Sequence, residues 1–139
     1  MGYGELLHKS EQRTISPAIC VYIDANGLHE PNNERGHEAG DLMLRFVAES
    51  LMEQFPKGSL CRVGGDEFVV FPAPAEGQTC EDRMRSASAS ITVQGCSISY
   101  GIAAHESVVG LRELVREADE KMLESKHAYY AEHDRRVRK

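Results

Sequence analysis

A polar quartet between two short apolar runs constrains the fold most. Leu60–Val63 and Phe68–Phe71 are rich in branched and aromatic residues, which favour strands. The four residues between them are Gly-Gly-Asp-Glu, a composition that favours a tight turn. The pattern predicts a β-hairpin whose turn carries two carboxylates, Asp66 and Glu67. On local grounds an ordinary polar turn and a functional site explain this quartet equally well.

The other segments alternate between strand and helix patterns. Ile19–Ile23 is almost continuously apolar, as in a central strand covered on both faces, and Asp24 ends it. The turn-forming residues of 25–36 predict a loop. Apolar spacing predicts helices over His37–Phe55, Cys80–Ile91 and Leu111–Tyr130, and alternation predicts a strand over Cys96–Ala103. This order indicates an α/β (α+β) sandwich with a partly antiparallel sheet, covered by helices on one face or both.

Length and charge narrow the function classes. A chain of 139 residues with 41% hydrophobic content fits one compact domain. We predict a leader over 1–18 that is a trimmed remnant of an N-terminal helix, a catalytic domain over 19–131 and a charged tail over 132–139. A net charge of -6 argues against nucleic-acid and anionic-membrane binding. No apolar run approaches the roughly 20 residues of a membrane span, and Met1–Ser10 lacks the apolar core of a signal peptide. These features predict a cytoplasmic protein.

The cysteines predict no chemistry of their own. They are scattered through the chain without a CxxC pair, and each lies in or beside an apolar stretch: Cys20, Cys61, Cys80 and Cys96. We interpret them as buried, reduced thiols, with a zinc site or a disulfide as the alternative.

Three carboxylates are predicted to converge. Asp24 stands at the carboxyl end of a buried strand, and the hairpin with Asp66 and Glu67 could pair beside it. Neighbouring carboxylates repel each other unless a cation joins them, and all-oxygen ligands suit magnesium or manganese. Gly64 and Gly65 permit positive φ and a close approach of backbone N–H groups to a phosphate. Metal and phosphate would therefore meet at one turn.

The same residues carry a family resemblance. Arg62–Phe68 resembles the RxGGDEF signature of the GGDEF family of diguanylate cyclases. Further segments match the family in the same order: Asp24–Asn33 is similar to its DxNGLKxxND stretch, Gly36–Asp41 to GHxxGD, Ser97–Ala103 to SxSxGIA and Ala118–Lys126 to ADxAMYxAK. The agreement covers about Ile19–Lys126.

The resemblance implies a fold and a reaction. The fold would be palm-like, as in nucleotide cyclases and polymerases, with a mostly antiparallel central sheet flanked by helices. The activity would be that of a nucleotidyltransferase that condenses two GTP molecules into cyclic di-GMP and releases pyrophosphate. Each subunit of a homodimer would hold one GTP, and a sensory or receiver domain would accompany the domain in a longer protein.

The resemblance also implies site residues. Two Mg²⁺ or Mn²⁺ ions per active site would bind Asp24, the backbone carbonyl of Ala25, Asp66 and Glu67. Glu67 is the first choice for the base that takes the proton of the attacking hydroxyl, and Asp66 the second. The implied substrate-binding residues are Asn32, His37, Asp41, Arg62, Gly64, Gly65 and Lys126.

Guanine selection maps to Asn32 and Asp41, because a carboxylate accepts from guanine N1–H and its amine while an amide donates and accepts. Each binding residue also has an ordinary interpretation. Asp41 could be a first-turn helix acid, Asn32 a turn former and His37 a helix cap, while Arg62 and Lys126 could be surface charges.

The sequence departs from the family pattern at a few positions. His29 replaces a phosphate-binding lysine, Tyr130 stands where a second cationic residue usually follows, and Phe55–Ser59 lacks the inhibitory RxxD motif. The family's opening motif, DxLTxLxNR, is not visible before Ile19. Two alternatives therefore accompany an active cyclase: a weak or degenerate GGDEF domain that binds GTP or a protein partner, and another palm-type nucleotidyl transferase or mononucleotide cyclase.

Overall fold

The computed structural model describes residues 2–26, 37–73 and 79–137, without the side chains of 37, 39 and 133–137. In chain order the elements are α1 (Tyr3–Ser10), β1 (Thr14–Ile15), β2 (Ala18–Asn26), α2 (His37–Gln54), β3 (Ser59–Arg62), β4 (Glu67–Phe71), α3 (Cys80–Val93), β5 (Ser97–His105), β6 (Val108–Val109) and α4 (Arg112–Val137). The predicted order of strand, helix, hairpin, helix, strand and helix is confirmed.

The main sheet has four strands in the order β3-β4-β2-β5, and every neighbouring pair is antiparallel. Strand β2 is central, because β4 lies on one side of it and β5 on the other. The short strands β1 and β6 form a separate antiparallel pair. The α+β fold with an antiparallel sheet flanked by helices is as predicted.

Each face of the sheet has its own apolar core. Val21, Ile23 and Phe68 point into a cluster with residues of α2 and α3, including Leu51 and Ile91. The alternate positions point to the opposite cluster, which α1 and α4 cover; its members include Cys20, Val69, Ala103, Leu114 and Ala118. Because both faces are covered, β2 has apolar residues at successive positions rather than at every second one.

Helix α4 lies unusually close to the sheet at Gly101 of β5. A Cβ atom on Gly101 would lie under 3.0 Å from the carbonyl oxygen of Ala118 and the backbone nitrogen of Met122, closer than real Cβ atoms come. Glycine is therefore required for the two backbones to approach each other here. The contact sets the height of α4 above the sheet.

Several boundaries differ from the sequence predictions. Strand β2 does not end at Asp24 but continues to Asn26, since β5 pairs with it as far as Asn26 and Ser97. Glu67 opens β4 instead of lying in the turn, and α4 continues past Tyr130 to Val137. The strands β1 and β6 were not predicted because two residues are too few to show a period, whereas α1 lies in the leader that was predicted as a remnant of an N-terminal helix. The division into leader, domain and tail stays a prediction.

The cysteines are free thiols in the described part of the chain. Only Cys20 is fully buried, and the other three are half-buried, so the predicted burial holds for Cys20 alone. Burial raises the pKa of Cys80 to about 11. Among the helices of the described ranges, none combines the length and apolar character needed to traverse a bilayer.

Candidate active site

The central strand and the hairpin bring three acidic residues to one end of the sheet. Asp24 of β2 is directly opposite Glu67 of β4 in the ladder. The backbone N–H of Ala25 donates to the carbonyl oxygen of Asp66 at 3.0 Å, and that of Val63 donates to Glu67 at 3.0 Å, closing the hairpin. The predicted pairing of the hairpin beside β2 is confirmed. The chemical roles of these residues stay predictions.

Asp24 is buried, with 5% of its surface exposed. Its Oδ2 accepts a hydrogen bond from the ammonium of Lys126 on α4, whereas its Oδ1 is buried without a hydrogen-bond partner. Burial raises the pKa of Asp24, Lys126 opposes that effect, and the charges of Asp66 and Glu67 add to it, so the pKa stays above its usual value. A buried acceptor without a partner is costly, and a cation would satisfy it.

The side chain of Lys126 places a positive charge next to Asp24. Burial lowers the pKa of its ammonium, but the hydrogen bond to Asp24 and the charges of Asp24, Tyr130 and Asp66 together leave the pKa above its usual value. Its Nζ also lies 6.0 Å from the ring centroid of Tyr130, one turn further along α4. Tyr130, which stands in the place of a family cation, therefore contacts the remaining lysine.

Glu67 is held by Tyr22 and lies beside Gly64. The hydroxyl of Tyr22 donates to its Oε2 at 2.7 Å, and its Oε1 lies 3.0 Å from where a Cβ of Gly64 would be. Burial, followed by the hydrogen bond and the charge of Glu67, raises the pKa of Tyr22 well above its usual value, so it remains a donor. Asp119 of α4 lies near enough that the charge of Glu67 adds to burial in raising the pKa of Asp119.

The sequence patterns did not indicate Tyr22 and Asp119 as parts of the site. Tyr22 could have been found, because residues two apart on a strand share a face and Asp24 follows at that interval. The position of Asp119 depends on how α4 docks onto the sheet, for which the sequence holds no comparable signal.

The glycines of the turn do not use the positive φ that glycine permits. The described glycines with positive φ are Gly95 and Gly110, and the close approach of the Gly64 and Gly65 backbone to a phosphate stays a prediction. A Cβ on Gly64 would lie 3.0 Å from Oε1 of Glu67, so that side chain would have to shift, while Gly65 faces open space. Arg62 donates to the carbonyl oxygens of Gly64 at 3.3 Å and Gly65 at 2.5 Å, which ties the turn to β3.

A concave surface lies beside the hairpin, against α2. Its volume is about 550 Å³, and Asp41, Arg45, Arg62 and Phe68 are among its lining residues. Asp41 is exposed there. Its predicted partner for guanine, Asn32, lies outside the described residues, as does the side chain of His37.

A polar group ties β2 to β5 next to Asp24. Ser99 donates from Oγ to Oδ1 of Asn26 at 3.0 Å, and the Asn26 amide donates to Oγ of Ser97 at 3.3 Å. Asn26 and Ser99 are buried, with 5% and 1% of their surfaces exposed. Because Asn26 and Ser99 partner each other, their burial at the end of β2 costs little.

The acidic residues do not by themselves enclose a metal ion. Within the described ranges, no three His, Cys, Asp or Glu side chains are grouped to hold one. Lys126 and Tyr22 instead occupy one oxygen each of Asp24 and Glu67. The donor set still fits magnesium, which binds through one or two carboxylates together with substrate phosphates and water rather than in an all-protein cage. The partnerless Oδ1 of Asp24 is the atom that favours this fit.

Comparison with known proteins places this geometry in a family. The family model for "Diguanylate cyclase, GGDEF domain" matches residues 4–131. The chain belongs to the GGDEF family. That match begins inside α1 and includes the central sheet, so the predicted family is confirmed.

Curated relatives of this GGDEF domain differ in their activities. "Diguanylate cyclase DgcS" of Shewanella oneidensis is 29% identical over 122 residues, which are 83% of this chain and 41% of that protein. "Cyclic di-GMP phosphodiesterase PdeB" of the same species is 27% identical over 128 residues, 84% of this chain and 15% of that protein. The chain spans 16% and 22% of the length of two other curated relatives.

A solved structure supports the fold of this GGDEF domain. The active GGEEF domain of a diguanylate cyclase from Vibrio cholerae superimposes with a TM-score of 0.69, and the match covers 91% of each chain. Its sequence is 18% identical to this one, so the likeness concerns the fold alone.

Proposed function

We propose that this GGDEF domain is a diguanylate cyclase that condenses two GTP molecules into cyclic di-GMP and pyrophosphate. The observation that carries the proposal is the buried, partnerless Oδ1 of Asp24 directly opposite Glu67, at an acidic turn free of side chains at Gly64 and Gly65. A purely structural carboxylate at such a buried position is normally fully hydrogen-bonded. Family membership supplies the substrate class.

Mg²⁺ or Mn²⁺ would be held by Asp24, the carbonyl oxygen of Ala25, Asp66 and Glu67. When bound, two such ions supply charge neutralisation of the triphosphate and of the leaving oxygen. Glu67 accepts the proton of the ribose 3′-hydroxyl, whose oxygen bonds to the α-phosphorus of the facing GTP as the bond to pyrophosphate breaks. Because each GTP attacks the other, a homodimer is required.

The remaining residues select and hold the nucleotide. Asp41 accepts hydrogen bonds from a guanine edge in the concavity between α2 and the hairpin, with Asn32 as its partner. When the nucleotide binds, the ammonium of Lys126 leaves Asp24 and donates to phosphate oxygens instead. The cytoplasmic location, the sensory or receiver partner and the lack of feedback through an RxxD motif stay predictions.

A weak or degenerate GGDEF domain that binds GTP for regulation is the second candidate. Two structural observations favour it. The ammonium of Lys126 already donates to Asp24, and in the described ranges no three acidic side chains are grouped closely enough to hold a metal ion. The match to a phosphodiesterase of cyclic di-GMP shows that a GGDEF-like segment also accompanies other activities. Product formation distinguishes the two candidates, because GTP binding is expected of both.

The function is tested by product analysis. Purified protein, alone and fused to a dimeric coiled coil, is incubated with GTP or ATP and Mg²⁺ or Mn²⁺ over a range of protein concentrations. We expect cyclic di-GMP from GTP, increasing more steeply than linearly with protein concentration in the unfused form. GTP binding without product from the dimeric fusion would favour the regulatory module, and product from ATP would favour another nucleotidyl transferase.

Replacing Lys126 should move two affinities in opposite directions. In Lys126→Met no ammonium competes for Asp24, so Mn²⁺ alone should bind about tenfold more tightly, which corresponds to about 1.4 kcal/mol. GTP with Mn²⁺ should bind about tenfold more weakly, because a phosphate contact is lost. Isothermal titration calorimetry measures both constants.

Lys121→Met is the matched control for this pair of titrations. Lys121 lies on the same helix but is exposed and donates to the carbonyl oxygen of Ile102 at 3.2 Å. Its replacement should change neither constant. If Lys126→Met weakened both ligands equally, the exchange of Asp24 for phosphate would be wrong.

A further inference from the structure

Tyr22 joins the apolar core to the acidic end of the sheet. It is two residues before Asp24 on β2, so both side chains lie on the face that α4 covers. The Tyr22 ring packs against the core cluster of that face, which includes Val69 and Ala103. Its hydroxyl reaches Oε2 of Glu67 at 2.7 Å. A ring fixed by close packing therefore ends in a donor aimed at the carboxylate.

The contact restricts a side chain that would otherwise be free to rotate. Glu67 is half-buried, and a glutamate side chain has several rotatable bonds whose freedom is costly to remove at the moment of reaction. The hydrogen bond from Tyr22 restrains Oε2, and Oε1, which lies beside Gly64, remains available. Preorganisation of this kind is what outer partners of reactive groups supply.

We infer that Tyr22 is a positioning residue that holds Glu67 in its working orientation through this hydrogen bond. The inference rests on the proposed function and assigns Tyr22 no contact with GTP. It concerns only the phenolic oxygen, because the ring serves the core. Removing that one atom separates the two roles.

Tyr22→Phe keeps the ring and removes the donor. We expect kcat for cyclic di-GMP formation to fall about tenfold while KM for GTP stays within about twofold, the lower end of what loss of an outer partner costs. The urea midpoint of unfolding should change little. A structural role would instead lower the amount of folded protein without changing kcat per folded molecule.

A binding experiment tests the same bond without turnover. Mn²⁺ affinity is measured by calorimetry in the presence of a non-hydrolysable GTP analogue. Tyr22→Phe should weaken Mn²⁺ about tenfold, whereas adding it to Glu67→Ala should change nothing further, since the acceptor of the Tyr22 hydroxyl is gone. If Tyr22→Phe weakened Mn²⁺ binding equally with and without the Glu67 side chain, the inference would be wrong.

Tyr100→Phe is the matched control. Tyr100 lies on β5 against the opposite core, so its hydroxyl is on the other face from Glu67. It should leave kcat, KM and Mn²⁺ affinity unchanged. A wild-type dimeric fusion that makes no cyclic di-GMP would refute the proposed function, but the Mn²⁺ comparison would still decide the role of Tyr22. A Tyr22→Phe variant with wild-type kcat and Mn²⁺ affinity would overturn the inference alone.

Discussion

Glu67→Gln should abolish cyclic di-GMP formation, with a fall in kcat of at least about a hundredfold, because a general base contributes about 10²- to 10⁴-fold. Glutamine has the same shape and its carbonyl oxygen still accepts from Tyr22, but it cannot take a proton and binds a cation weakly. The β2-β4 ladder should therefore be unchanged. Product analysis with GTP and Mn²⁺ measures the loss, and far-ultraviolet circular dichroism checks the fold.

Glu49→Gln is the control for this change. Glu49 is exposed on α2 and touches neither the acidic turn nor the concavity beside it. Its variant should keep full activity, which shows that one acidic charge fewer is not itself the cause. If Glu67→Gln retained more than a tenth of the wild-type rate, the proton would have to go elsewhere, and Asp66 would be the next residue to replace.

Gly101→Ala should lower the free energy of unfolding by about 1–3 kcal/mol, the usual cost of an added methyl group in a full core, or by more if α4 cannot move. The new Cβ would overlap backbone atoms of Ala118 and Met122, which cannot rotate away as a side chain could. Urea denaturation measures the change. GTP affinity should fall as well, since any outward shift of α4 carries Lys126 away from Asp24.

Gly4→Ala is the same chemical change in open space. A Cβ on Gly4 meets nothing within 4 Å, and alanine favours a helix over glycine by about 0.5–1 kcal/mol. This variant should be as stable as the wild type or slightly more so. An unchanged urea midpoint in Gly101→Ala would show that α4 is held less tightly than its backbone contacts indicate.

Local patterns were enough to predict the frame of the site. The apolar run of β2 and the polar turn between β3 and β4 each lie within a few residues, and the alternation of side chains then brings Asp24 opposite Glu67. The family motifs added the substrate. The sequence left open the details that depend on φ, such as the conformation of Gly64, because glycine permits many conformations and a sequence does not choose among them.

The partners of the carboxylates could not be predicted. The bond of Tyr22 to Glu67 joins residues 45 apart, and that of Lys126 to Asp24 joins residues 102 apart. Such pairs depend on the strand register and on the distance between α4 and the sheet. That distance is short because Gly101 has no side chain between the two backbones. No period in the sequence encodes either quantity.

The distance in sequence between Asp24 and Lys126 also dictates when the site is complete during folding. The acidic turn can form early because its hydrogen bonds are local, but Lys126 arrives only after β5 has paired with β2 and α4 has docked. Closing such long loops is slow compared with local structure. A ligand of this site therefore binds only the finished native state, and by mass action it should raise the melting temperature of the whole domain.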